Sequence, residues 1–178
     1  MKRREFIRNT SLFTAMGLLP LGHLYATEKN IRFAAIGING MGWSDVEALL
    51  KVPNVSCVAL CDVDANVLQK RKAELAAKGI AVKTYENYKD LLKDKSIDAV
   101  IIGTPDHWHA LQMIDACRAG KAVYVEKPLG NAMEECDRMV AVANEHQAVV
   151  QVGQWQRSQQ HFRDAIAFVH SGKLGKIR

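Results

Sequence analysis

The sequence predicts a doubly wound α/β fold built on a mostly parallel sheet. Three observations carry that expectation. Six short strand-like segments recur along the chain, most of them apolar without polar alternation, the mark of strands covered on both faces. Amphipathic stretches separate those segments, as parallel βαβ units require. A glycine-rich turn joins the first run to the first helix.

The elements follow in chain order. Residues 31–38 are apolar apart from one Arg, and residues 40–52 read as a helix. Residues 55–61 form a second apolar strand. Residues 64–78 form a charged amphipathic helix, with Asp64 as its N-cap and Gly79 as its C-terminal stop. A third strand falls at 82–85 and a short helix at 88–92. A fourth strand at 99–102 leads into a helix over 107–119, which ends at Gly120. A fifth strand covers 122–125. The helix over 132–146 is expected to align Met133, Cys136, Val140 and Ala143 on one face. A sixth strand covers 148–152. The last helix, 158–170, aligns Phe162, Ile166 and Val169, and residues 173–178 are expected to open another strand.

Composition narrows the function classes. The chain has 178 residues, 48% hydrophobic and 24% charged, which suits one soluble globular domain and excludes a disordered or disulfide-scaffold chain. The net charge of +5 owes much to the N-terminus. Four of the 24 basic residues and one of the 19 acidic residues lie in the first 26, so the remainder carries only about +2. A near-neutral domain gives no electrostatic reason to expect nucleic acid. Cys57, Cys61, Cys117 and Cys136 show no CxxC spacing and read as buried apolar thiols. His107 and His109 lack a third partner at a metal-like spacing, so no metal is expected.

The first 26 residues read as an address. A basic stretch precedes the apolar run 12–21, and Leu24-Tyr25-Ala26 resembles a cleavage site. The run is short for a membrane span, so no stable insertion is expected once it is removed. Arg3-Arg4, followed by Phe6 and Ile7, resembles a twin-arginine (Tat) signal. Such a signal implies export of the folded protein to the periplasm.

The turn after the first strand is Gly37-Ile38-Asn39-Gly40-Met41-Gly42. It matches the dinucleotide fingerprint G-x-G-x-x-G, with Asn39 at the second glycine position and Gly40 beside it. Free N–H groups and the positive end of the helix that follows attract a pyrophosphate. Gly37 allows the tight turn and Gly42 lets helix and strand pack closely. Asn39 tolerates left-handed backbone angles, while its side chain narrows the approach. Asp62 ends the second strand, 20 residues beyond Gly42. A carboxylate there accepts hydrogen bonds from ribose hydroxyls and repels the extra phosphate of NADP, so NAD is the expected cofactor.

Three further clusters fall at strand ends: residues 104–109 (TPDHWH), 126–128 (EKP) and 153–158 (GQWQRS). Ligands of open α/β sheets bind beyond the carboxyl ends of the strands, so all three clusters should share the crevice of the glycine turn. With that turn and the acidic strand end, these motifs resemble the glucose–fructose oxidoreductase/inositol dehydrogenase/MocA (Gfo/Idh/MocA) family. The likeness covers about residues 30–178. It implies a Rossmann-like NAD(P)-binding domain and hydride transfer to or from a sugar, cyclitol or related polyol.

The resemblance also implies roles for single residues. Thr104 and Pro105 would line the nicotinamide and its ribose, with His109 near the cofactor in a catalytic role. Glu126 and Lys127 would form the family's E-K-P motif, with a cis bond between Lys127 and Pro128. The lysine would reach the nicotinamide ribose and the substrate hydroxyls and take part in proton transfer. Arg157 would face the nicotinamide or the substrate. The expected division is a signal over 1–26, a nucleotide-binding domain over 27–171 and, over 172–178, the start of a second domain that supplies substrate contacts and a homo-oligomer interface. Two alternatives stand beside the oxidoreductase: a nucleotide-binding module with no catalysis of its own, and an NAD-dependent glycoside hydrolase.

Overall fold

A computed structural model describes residues 30–176. The signal assigned to residues 1–26 and the last two residues lie outside the described part. Six strands form one sheet: β1 (Ile31–Ile36), β2 (Val55–Cys61), β3 (Lys83–Tyr85), β4 (Ala99–Ile102), β5 (Ala122–Val125) and β6 (Val150–Val152). Their spatial order is β3-β2-β1-β4-β5-β6, and every pair is parallel. The order reverses between β1 and β4, so the chain opens a crevice there at the carboxyl ends of both strands.

Six helices cover the sheet or follow it: α1 (Met41–Leu49), α2 (Ala65–Ala77), α3 (Tyr88–Lys93), α4 (His109–Arg118), α5 (Met133–Glu145) and α6 (Gln160–His170). On one face, Trp43 and Val46 of α1 and Leu68 and Leu75 of α2 pack on Phe33, Leu60 and Ile101. On the other, Leu91 of α3, Met113 and Ala116 of α4, and Met139 and Val142 of α5 pack on Ala34, Ile36, Val100 and Val125. Alternate residues of β1 thus enter opposite cores, which explains the unbroken apolar run from Phe33 to Ile36.

Local signals act where they were read. The Asp64 carboxylate accepts the N–H of Asn66 at 2.8 Å and caps α2. Gly79, Gly120 and Gly172 each take a positive φ just past a helix. Other expectations need correction. β1 stops at Ile36, because Gly37 turns left-handed with φ 76°. The helix expected over 107–119 divides into a 3₁₀ turn at Asp106–Trp108 and then α4. In α5 the core takes Met139 and Val142, while Met133 and Val140 are exposed, so the buried stripe is rotated from the expected one. None of the residues of α6 is buried. Residues 173–176 form no strand. Cys57, Cys61 and Cys117 are buried thiols as expected, whereas Cys136 is only half-buried, and burial pushes Cys57 and Cys61 up to about 12.

Candidate nucleotide site

A cleft of about 730 Å³ lies at the point where the strand order reverses. Its volume falls in the range of small-ligand pockets. Ile36, Gly37, Asn39 and Gly40 form its floor, and Asp62 and Val63 form one wall. Glu86, Asn87 and Tyr88 close the side beyond β3, and Gly103, Thr104, Pro105, Trp108 and Gln112 line the side beyond β4.

The floor depends on close backbone approach. At Gly37 a Cβ would lie 2.7 Å from the Thr104 backbone nitrogen, and the φ of 76° is itself unfavourable to other residues. At Gly42 a Cβ would run into the Gly37 carbonyl oxygen. Gly103 presses its backbone on Gly42 from β4. These three glycines bring β1, α1 and β4 together at one point. Gly42 is buried behind the turn and does not line the cleft. Gly40 has φ 55° and no side chain caps α1 there, so the first-turn N–H groups remain available to an anion. Asn39 is not left-handed; the turn takes its positive φ at Gly37 and Gly40. The Asn39 carboxamide oxygen accepts the N–H of Gly40 at 3.1 Å, which occupies one donor of the turn.

Asp62 is fixed by the backbone. It accepts the Ile38 N–H at 2.9 Å on one oxygen and the Asp64 N–H at 3.1 Å on the other. A carboxylate has about four lone-pair sites, so it keeps capacity for ribose hydroxyls. No Lys or Arg lines the cleft among the described residues. The bare glycine edges, the open helix start and the oriented carboxylate fit a dinucleotide.

The other motifs divide into those at the cleft and those beneath it. Thr104 donates its hydroxyl to Gln112 at 2.7 Å, and Gln112 is buried. His109, expected at the cofactor in a catalytic role, is 1% exposed. Its Nδ1 lies 2.7 Å from the Pro128 carbonyl and its Nε2 lies 2.8 Å from the Thr104 carbonyl. A neutral imidazole donates through one nitrogen, so one contact is a hydrogen bond in either tautomer and both are in the imidazolium. The ring therefore sits between the turn after β4 and the turn after β5, with both nitrogens facing carbonyl oxygens and neither turned to a ligand.

Glu126 is also beneath the surface, at 4% exposure. It accepts the Tyr124 hydroxyl at 3.1 Å and the Lys127 N–H at 3.2 Å. Gly153 leaves room for this carboxylate, since a Cβ there would strike it. Lys127 is exposed beside the turn, and the Lys127–Pro128 bond is cis. Arg157 is exposed in a 3₁₀ turn at Trp155–Ser158 and does not line the cleft.

Sequence reasoning missed two residues near Glu126. Asp45 of α1 is half-buried, and its Oδ2 is a buried atom without a hydrogen-bond partner. Burial first, and then the charge of Glu126, raise its carboxyl to about 6. Burial and the charges of Asp45 and Glu126 push the Tyr124 hydroxyl up as well. Gln112 and residues 86–88 were missed too. Glu86, Asn87 and Tyr88 follow the carboxyl end of β3, where the strand-end rule points.

A family model described as an oxidoreductase family with an NAD-binding Rossmann fold matches residues 31–154. The chain belongs to this Gfo/Idh/MocA family. Among solved structures, it resembles a myo-inositol 2-dehydrogenase from Lactobacillus plantarum, with TM-score 0.76 and 37% identity over 84% of this chain and 43% of that one. It also resembles a scyllo-inositol dehydrogenase from Lactobacillus casei with bound NAD(H) and scyllo-inositol, with TM-score 0.75 and 29% identity over 84% of this chain and 43% of that one. A glycosyl hydrolase family 109 protein of Stenotrophomonas maltophilia is 37% identical over 76% of this chain and 31% of its own length. The chain thus spans less than half the length of these relatives.

Proposed function

We propose that this chain carries the nucleotide-binding part of an NAD-dependent oxidoreductase that acts on a secondary alcohol of a sugar, cyclitol or related polyol. One observation carries the reading: the glycine turn, Asp62 and the Thr104-Pro105 turn share one cleft, and His109 sits between that last turn and the one bearing Lys127. The named inositol dehydrogenases support the substrate class.

In this reading, bound NAD supplies the hydride acceptor. The N–H groups at the start of α1 receive the pyrophosphate, and Asp62 accepts the ribose hydroxyls and disfavours a 2′-phosphate. Lys127 Nζ takes the proton from the substrate hydroxyl as the hydride leaves its carbon, a task that needs a base within hydrogen-bond reach. Glu126 holds the Lys127 backbone N–H, and the His109 ring packs against the Pro128 carbonyl at 2.7 Å, so both support the lysine from below. Arg157 reaches the substrate side. We also propose export through Arg3-Arg4, which is checked by the compartment in which the protein is recovered.

The test is turnover with a panel of cyclitols and aldoses, followed by NADH formation. Lys127→Ala should lower turnover by roughly 10²–10⁴-fold and leave NAD affinity within a few-fold. Near-full turnover in that variant would remove Lys127 from the chemistry. A second reading is favoured by the 37% identical glycosyl hydrolase relative: an NAD-dependent glycosidase that oxidises its sugar transiently. Release of aglycone from an aryl glycoside without net NADH would select it.

A further inference from the structure

Arg71 makes three contacts from the middle of α2, none of which the mechanism above uses. Its Nε donates to the Ile38 carbonyl oxygen at 3.3 Å. Its guanidinium lies over the Trp43 ring, 4.6 Å from the centroid. Its Nη1 donates to Glu74 at 2.8 Å. The side chain is only 15% exposed. Ile38 is the residue between Gly37 and Asn39, and its side chain is fully buried. Its N–H is already held by Asp62 at 2.9 Å. The two peptide units flanking the Ile38 Cα are thus each held, one by a carboxylate just past β2 and the next by a guanidinium from α2. Trp43 lies in the first turn of α1, so the same guanidinium also packs on the start of the helix that faces the cleft.

We propose that Arg71 is a positioning residue for nucleotide binding: by holding the Ile38 carbonyl while stacked on Trp43, it sets the direction of the Asn39-Gly40 turn toward the pyrophosphate. The proposal rests on the reading of the cleft as the NAD site. Only a guanidinium fills this role. Its planar face covers the indole while its in-plane N–H groups serve two acceptors at once. A lysine ammonium keeps the charge but lacks both the plane and the fork.

The experiment is titration calorimetry on the purified chain and on Arg71→Met and Arg71→Lys, well below their melting transitions. Methionine keeps an apolar stem over Trp43 and removes only the guanidinium. The ligands are NAD, ADP-ribose and adenosine. Both variants should bind NAD and ADP-ribose about tenfold more weakly. Adenosine, which has no phosphate, should bind each variant and the parent alike. Unchanged NAD affinity in both variants overturns the proposal. Full affinity in Arg71→Lys also overturns it, because charge alone would then suffice. Equal losses for all three ligands overturn it in favour of a general structural role. If the parent chain itself fails to bind NAD, the reading of the cleft falls first and the proposal with it.

Discussion

The two sides of the strand-order reversal are built differently. On the side of β1 to β3 the cleft is finished. Its floor is held by the backbone contact of Gly37 with Gly42, closed by Gly103 from just past β4, and its carboxylate is fixed by two N–H groups. On the side of β5 and β6 the polar residues are arranged but not enclosed. Glu126 and His109 lie beneath the surface, while Lys127 and Arg157 stand exposed. The first side holds a ligand through the backbone, so its residues couple binding to folding. The second presents side chains on supported turns, so its residues should affect chemistry with little effect on the fold.

Gly42→Ala gives the largest expected effect on the first side. The new methyl would meet the Gly37 carbonyl oxygen, which is backbone and cannot rotate away. The strand, the helix start and Gly103 would all have to separate. A loss of about 2–3 kcal/mol in stability, read from the urea midpoint, should accompany weaker NAD binding. A variant that kept its midpoint would show that this contact is looser than the packing implies.

Asp62→Ala should separate binding from folding more finely. It removes the acceptor for ribose hydroxyls and one grip on Ile38. NAD affinity should fall about tenfold or more, and the preference for NAD over NADP should shrink, because the charge that repels a 2′-phosphate is gone. Calorimetric titration with both nucleotides reads the ratio. An unchanged ratio would move the discrimination elsewhere, with Glu86, which lines the cleft beyond the neighbouring strand β3, the next residue to test.

The central strands were legible because strands buried on both faces need unbroken apolar runs, and few other structures do, whereas the edge strand β3 carries Lys83 and Thr84 exposed and was marked mainly by its place between two helices. Glycine stops and the Asp64 cap were legible because each acts within a few residues of chain. The buried face of α5 was not. Met133 and Val140 have the right period, but Met139 and Val142 enter the core, and the choice depends on how the helix docks. At the site, Gly37 and Asp62 could be read because backbone geometry fixes what they do. His109 was placed at the cofactor, yet its partners are two carbonyls of separate turns, which only the folded loops bring together. Arg71 and Asp45 were missed for a shared reason. Charged residues on helices read as solvent-facing, and nothing local marks these two as turned inward.

Asp45 supplies the smallest effect and a test of how dry the second side is. Its carboxyl is raised to about 6 by burial and by Glu126, whereas an unfolded chain would titrate it near 4. A folded value above the unfolded one means the protonated form is favoured by folding. That contribution is whole below about pH 4 and is lost as pH rises through about 6. Above that, the native protein keeps a charge facing Glu126 with one oxygen unpartnered. Asp45→Asn removes the titration without changing shape. The variant should match the parent near pH 4 and exceed it at pH 7–8 by about 1 kcal/mol, reduced because the residue is only half-buried. Melting midpoints against pH read this as a widening gap of a few degrees. A constant gap across the range would mean that Asp45 ionises freely and that water reaches Glu126, so the second side would be open beneath its turns as well as above them.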